Sequence, residues 1–160
     1  MSNSNELQVG ADRVAIQDLM ARYAYAVDAK RWELLNDVFL EGAEIDFVAN
    51  GGIKGTWPSL GEWLVPAMSG FTACQHYLSN FATDVTGDRA HSRFYVFTQM
   101  ITVGGGTDHI LSDGGYYHTE FIRTPNGWRV TKLSGGIVWW SGSVPTHLTW
   151  WGKDGDRFNQ

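Results

Sequence analysis

The fold is decided by residues 90–140, AHSRFYVFTQMITVGGGTDHILSDGGYYHTEFIRTPNGWRVTKLSGGIVWW. Three long β-rich stretches occur here: Ala90 to Val103, Ser112 to Thr124 and Trp128 to Trp140. The turn sequences Gly104-Gly105-Gly106 and Pro125-Asn126-Gly127 part them. A fourth stretch, His76 to Val85, precedes them across Thr86-Gly87-Asp88. The spacing predicts an antiparallel meander. Strands of this length curl, because sheets twist.

Upstream the periodicity becomes helical. Asp12 is placed to cap a helix running to about Ala29, with Ile16, Met20, Tyr23 and Val27 on one face. Residues 1–10 read as a flexible lead. A shorter helix, Arg31 to Phe39, turns Trp32, Leu35, Val38 and Phe39 inward. Ala43 to Ala49 alternates as a strand, with Ile45, Phe47 and Ala49 on one side, and ends at Asn50-Gly51-Gly52. Ser59 and Glu62 are spaced like a capping box ahead of Trp63, Leu64, Ala67 and Met68. They mark a third helix, with Pro66 in its first turns and Gly70 at its end. Helices first and a meander afterwards is an α+β pattern. Helices laid across the concave side of a curled sheet leave a cone-shaped hollow. Residues 1–160 read as one domain, closed by a tail over 141–160.

Composition narrows the function. Hydrophobic residues are 43% and charged residues 18%, which suits a packed core. Aromatics reach 14%, with eight Trp, as suits a pocket for an apolar ligand. The net charge is −5 and no basic cluster exceeds Lys30-Arg31, so nucleic acid is not an expected partner. No apolar run approaches the ~20 residues a membrane span needs. Residues 1–10 lack an export signal core, so a cytoplasmic location is expected. The single Cys74 excludes an internal disulfide, and no His spacing suggests a metal. No metal or cofactor is expected. Gly-x-Ser-x-Gly elbows and phosphate-cradling loops are absent from the sequence.

Asp28 stands out. It falls in the last turn of the first helix, where the backbone dipole disfavours a carboxylate. Its reading stays open between a solvated helix end and a half-buried carboxylate needing a donor. His76, at the start of the first long strand, is the candidate partner. Bonded to Asp28 through one ring nitrogen, it would keep the other basic. Tyr25 and Tyr23 can bond a substrate oxygen or pack in the core. His118 faces the hollow on one strand parity only. Tyr95 and Phe97 are candidate substrate-lining aromatics, and Lys132 can stabilise a leaving anion or sit in solvent. His91 reads as a turn residue, His109 as part of the glycine-rich turn, and His147 as tail.

Together, Ile16-Gln17-Asp18-Leu19-Met20 leading to Tyr23, Val27 and Asp28, then His76, then the Arg123-Thr-Pro-Asn-Gly-Trp128-Arg129 hairpin, resemble the SnoaL-like branch of the NTF2-like superfamily. The resemblance covers roughly Ala11 to Trp140. It is nearest to the scytalone dehydratase, lindane dehydrochlorinase and bile-acid 7α-dehydratase group. It implies an Asp at the end of the first helix and a His on the first long strand as the catalytic pair, at Asp28 and His76. Tyr23 stands where the dehydrochlorinase carries a Lys, and Arg93 to Thr98 offers no second His. Lys132 stands loosely for a basic residue on the last strand. The resemblance further implies a homo-oligomer, a trimer or a dimer. Trp139, Trp140, Trp150 and Trp151 suggest a tail that lids the pocket or meets a neighbouring subunit.

The expectation is a cofactor-independent, dehydratase-like lyase acting on a small hydrophobic or ring-bearing molecule. An isomerase, a polyketide-cyclase-like enzyme, a binding protein and a structural subunit are the alternatives.

Overall fold

The structure, a computed structural model, describes residues 3–104 and 107–142. In chain order it comprises helix α1 (Asn3–Asp28), a 3-10 turn (Trp32–Asp37), strand β1 (Phe39–Asp46), a second 3-10 turn (Val48–Asn50), strand β2 (Lys54–Thr56) and helix α2 (Gly61–Ser69). Strands β3 (Ala73–Thr86), β4 (Arg89–Gly104), β5 (Thr107–Thr124) and β6 (Gly127–Gly142) follow. Among the described residues the strands form one open sheet in the order β2-β1-β6-β5-β4-β3. The four long strands are antiparallel neighbours, while β1 runs parallel to β6. The meander is therefore the larger part of a mixed sheet.

Helix α1 packs chiefly on β3 and buries Ile16, Met20, Tyr23 and Val27, the face expected from the spacing. Its beginning differs. The helix starts at Asn3, so residues 3–10 are not a lead and Asp12 is not a cap. Asp12 instead occupies the buried face one turn before Ile16. Its carboxylate accepts both terminal nitrogens of Arg123 at 2.7 Å each, and the Trp128 indole N–H at 3.2 Å. Arg123 also lies over the Trp128 ring at 4.4 Å. The β5–β6 hairpin is thus tied to the first helix by a bidentate pair, which holds Asp12 below the usual carboxylate range.

Smaller differences have local causes. The second helix is 3-10 only, and β1 begins earlier than alternation marks, so Ala49 falls in the following turn. β2 carries no hydrophobic alternation of its own; its Gly55 is overlain by Leu60. Ser59 does not cap α2, which starts at Gly61 with no side-chain cap. Gly70 ends that helix in an ordinary right-handed conformation. His109 lies in β5 opposite Thr102 rather than in a turn.

In β3 the register shifts between Ser79 and Ala82, with Asn80 in the left-handed region at φ 56°. This bulge inverts the alternation, so residues 74, 76 and 78 and then 81, 83 and 85 turn toward α1 and the core. Without it, His76 and Phe81 would face opposite sides. Among the described residues no helix is long and apolar enough to cross a membrane.

Candidate active site

Three strands and the end of α1 assemble the site. His76 of β3 pairs with Thr98 of β4, and Thr98 pairs with Asp113 of β5. This row crosses the concave face, and all three side chains line one cavity. At ~4.8 Å per strand, the ends of the row stand about 10 Å apart at the backbone. Val27, Phe47, Trp63, Met68, Phe71 and Met100 make most of the remaining wall. The cavity volume is about 90 Å³. One water needs ~10–15 Å³ on this scale, so the cavity is several waters in size.

Asp28 arrives from the C-terminal turn of α1. The Arg31 N–H donates to Ala26 at 2.8 Å and the Lys30 N–H to Val27 at 3.1 Å, with Lys30 left-handed at φ 54°. This Schellman closure leaves Asp28 where helix carbonyls already concentrate negative charge. Two donors from β3 offset that. The backbone N–H of His76 donates to Oδ2 at 2.9 Å, and ring Nδ1 meets Oδ1 at 2.5 Å. The two side chains are only 8% and 21% exposed. In a neutral ring, a carboxylate on Nδ1 favours the tautomer whose proton is there and whose Nε2 is bare.

Tyr23 is 4% exposed, and its ring meets those of His76 at 6.5 Å and Tyr117 at 6.2 Å, both edge-on. Burial pushes Tyr23 up to about 12 and Tyr117 well above its ordinary value, so both stay neutral donors at neutral pH. Gly135 makes room for this arrangement: a Cβ there would lie 2.8 Å from the Tyr117 ring and 2.5 Å from Asn50 Oδ1.

Asp113 was not singled out by the sequence reading, yet it is 5% exposed inside this cavity. Burial pushes its carboxyl up to about 6, against the opposing pull of His76 and a hydrogen bond from Thr98. A signal existed. Leu111, Asp113, Tyr117, Thr119 and Phe121 share one parity of β5, and all are buried.

The other expected site residues lie elsewhere. Two residues turn a helix by about 200°, so with Tyr23 inward Tyr25 faces out, 58% exposed, in an outer groove between α1 and β3. In β4 the inward set is Phe94, Val96, Thr98 and Met100, which places Tyr95 and Phe97 on the convex face. There Arg93 covers Tyr95 at 5.2 Å, and Phe97 sits between Tyr77 and Trp139 at 5.8 Å each. His118 takes the outward parity of β5 beside Tyr116. Lys132 is exposed, its Nζ 4.0 Å from Glu120. None of these five lines the cavity. His91 pairs with Asp84 in solvent at 3.1 Å. His147, Trp150 and Trp151 fall outside the described residues. Among the described residues, no three His, Cys, Asp or Glu side chains are grouped to hold a metal ion.

Residues 8–134 match the family model of the SnoaL-like domain, most of the chain. The chain belongs to the SnoaL-like family. An uncharacterized protein of Mycobacterium tuberculosis is 38% identical over 122 residues, 76% of this chain and 82% of that protein. Among solved structures, a Novosphingobium aromaticivorans protein assigned as an aromatic ring hydroxylase is 32% identical with a TM-score of 0.76, covering 83% of this chain and 94% of its own. A protein from the same organism assigned as a scytalone dehydratase is 20% identical at TM-score 0.73, covering 91% and 93%. A hexachlorocyclohexane dehydrochlorinase from Novosphingobium barchaimii is 23% identical at TM-score 0.73, covering 89% and 97%. The last two establish likeness of fold.

Proposed function

We propose that this SnoaL-like protein is a cofactor-independent lyase that removes a small leaving group, as a dehydratase does, from a compact ring-bearing substrate. The observation that carries this reading is the His76–Asp28 pair: Nδ1 held by a carboxylate at 2.5 Å, with the ring lining an apolar cavity.

His76 Nε2 takes a proton from carbon. Asp28 keeps the tautomer that makes Nε2 basic, and its charge stabilises the imidazolium that forms. The helix C-terminus beneath Asp28 adds to that stabilisation. Tyr23 and Tyr117 present neutral hydroxyls to the substrate oxygen on which charge develops. Acid–base help of this kind contributes typically ~10²–10⁴-fold. Positioning in a largely apolar cavity supplies the rest. The dehydratase and dehydrochlorinase folds named above support an elimination, and the aromatic-ring assignment of the 32%-identical protein supports a ring-bearing ligand.

The test uses indanone, a bicyclic aryl ketone with acidic α-protons, in D₂O. Wild type is expected to exchange those protons for deuterium. His76→Ala and Asp28→Asn are expected to lose the exchange by at least about 100-fold while retaining the fold and indanone binding. Exchange at near-wild-type rate in either variant contradicts the mechanism.

A further inference from the structure

We propose that Asp113 is a second catalytic residue, the general acid that hands a proton to a departing oxygen at the far end of the His76–Thr98–Asp113 row. This deepens the lyase reading and rests on it, and it commits the site to substrates that lose a hydroxyl group rather than a halide.

The geometry is that of a two-ended site. His76 and Asp113 occupy the outer strands of a three-strand row, with both side chains on the concave face and both lining the same cavity. At about 10 Å between their backbones, a small substrate can lie between an imidazole and a carboxyl. Thr98, 4% exposed, stands between them as the strand partner of both. Among the described residues Asp113 has no salt bridge; the titratable groups lining the cavity are Tyr23, His76, Tyr117 and Asp113 itself, with Asp28 behind His76. A carboxyl so enclosed keeps its proton to higher pH than an ordinary Asp, up to about 6, because burial disfavours its charged form. Two groups placed at opposite ends of a pocket, one bare imidazole and one protonated acid, are suited to opposite proton transfers.

The step balances. The carbon–hydrogen bond breaks and its proton goes to His76 Nε2. That electron pair forms the carbon–carbon double bond. The carbon–oxygen bond breaks, its pair stays on oxygen, and oxygen takes the proton of Asp113 to leave as water. His76 is then an imidazolium and Asp113 a carboxylate. Return of one proton from His76 to Asp113, through the released water or the Thr98 hydroxyl, restores both. A chloride leaves as a stable anion and needs no such acid.

The test compares two probes, β-hydroxyindanone and β-chloroindanone, whose elimination gives the same indenone. The ratio of their kcat/KM values cancels everything the two reactions share, His76 included. In wild type, the hydroxy-to-chloro ratio is expected to fall about tenfold per pH unit above about 6, as Asp113 loses its proton. Asp113→Asn is expected to lower hydroxy elimination by about 100-fold more than chloro elimination and to flatten the ratio. A ratio independent of pH between 5 and 8 in wild type overturns the proposal without any variant having to fold. So does an equal effect of Asp113→Asn on both probes, or turnover of the chloride alone. Elimination that survives His76→Ala, or no elimination of either probe by wild type, overturns the lyase reading itself.

Discussion

At the scale of single residues, the site consists of side chains placed against their own preferences. Asp28 sits at the wrong end of a helix dipole, and Asp113 is a carboxyl in a mostly apolar wall. Each breaks a local rule that the global fold makes up for, as functional positions do. Asp113 has a measurable consequence for stability. Its folded value of about 6 lies above the unfolded 3.8. Between those values the unfolded chain gives up the proton first, so stability declines as pH rises from about 4 to about 6 and stays lowered above. A gap of that size corresponds to about 2–3 kcal/mol. Asp113→Asn is therefore expected to be more stable than wild type at pH 8 by roughly that amount, and nearly equal below pH 4, in urea melts. Destabilisation of equal size at both pH values contradicts this account. Sequence exposed Asp28 because its misplacement is local and one-dimensional. Asp113 looked like one more polar residue beside Gly114 and Gly115, and its burial follows from strand parity set by Tyr117 and Phe121.

At the scale of elements, the link between α1 and the β5–β6 hairpin holds the helix over the sheet. The Asp12–Arg123 pair joins two chain segments 111 residues apart. Arg123→Ala leaves the Asp12 carboxylate buried beside Trp128 with its main partner gone, and is expected to cost about 2–3 kcal/mol at pH 7. Asp12 is depressed below 3.8, chiefly by hydrogen bonds from Arg123. Its contribution is thus present above pH 3.8 and lost as pH falls through the folded value. The difference between wild type and Arg123→Ala should shrink in denaturant melts at pH 3. A gap unchanged between pH 7 and pH 3 means the pair is not its source. The helix face from Ile16 to Val27 and the four long strands were legible, because burial imposes a period of 3.6 or 2 on the chain. The start of α1 was not. Asp12 is as good a cap as it is an ion-pair partner, and its partner comes from the far end of the chain. Nor was the β3 bulge at Asn80, whose effect is to put His76 and Phe81 on one face.

At the scale of the whole molecule, the sheet divides two populations of aromatics. Tyr23, Phe47, Phe94 and Tyr117 pack on the concave side with the cavity. Tyr77, Phe97 and Trp139 form a row across the convex side. Composition counted both together and read all of them as pocket lining, because a sequence without register does not say which face a strand residue takes. That is why Tyr95, Phe97, His118 and Lys132 were expected in the site and are found outside it. Asp28, His76 and Tyr23, which the structure brings together, come from α1 and β3, whose mutual packing fixes both sides of the pair. The account turns on that pair: a ring nitrogen held by Asp28, its opposite nitrogen bare, in a ring that lines the cavity. Nitrogen NMR of histidine-labelled protein reads this directly. The expected spectrum shows His76 with its proton on Nδ1 and with an unprotonated Nε2 whose shift moves when indanone is added, both lost in Asp28→Asn. A His76 protonated on Nε2 in wild type, or one indifferent both to indanone and to the Asp28 substitution, contradicts it.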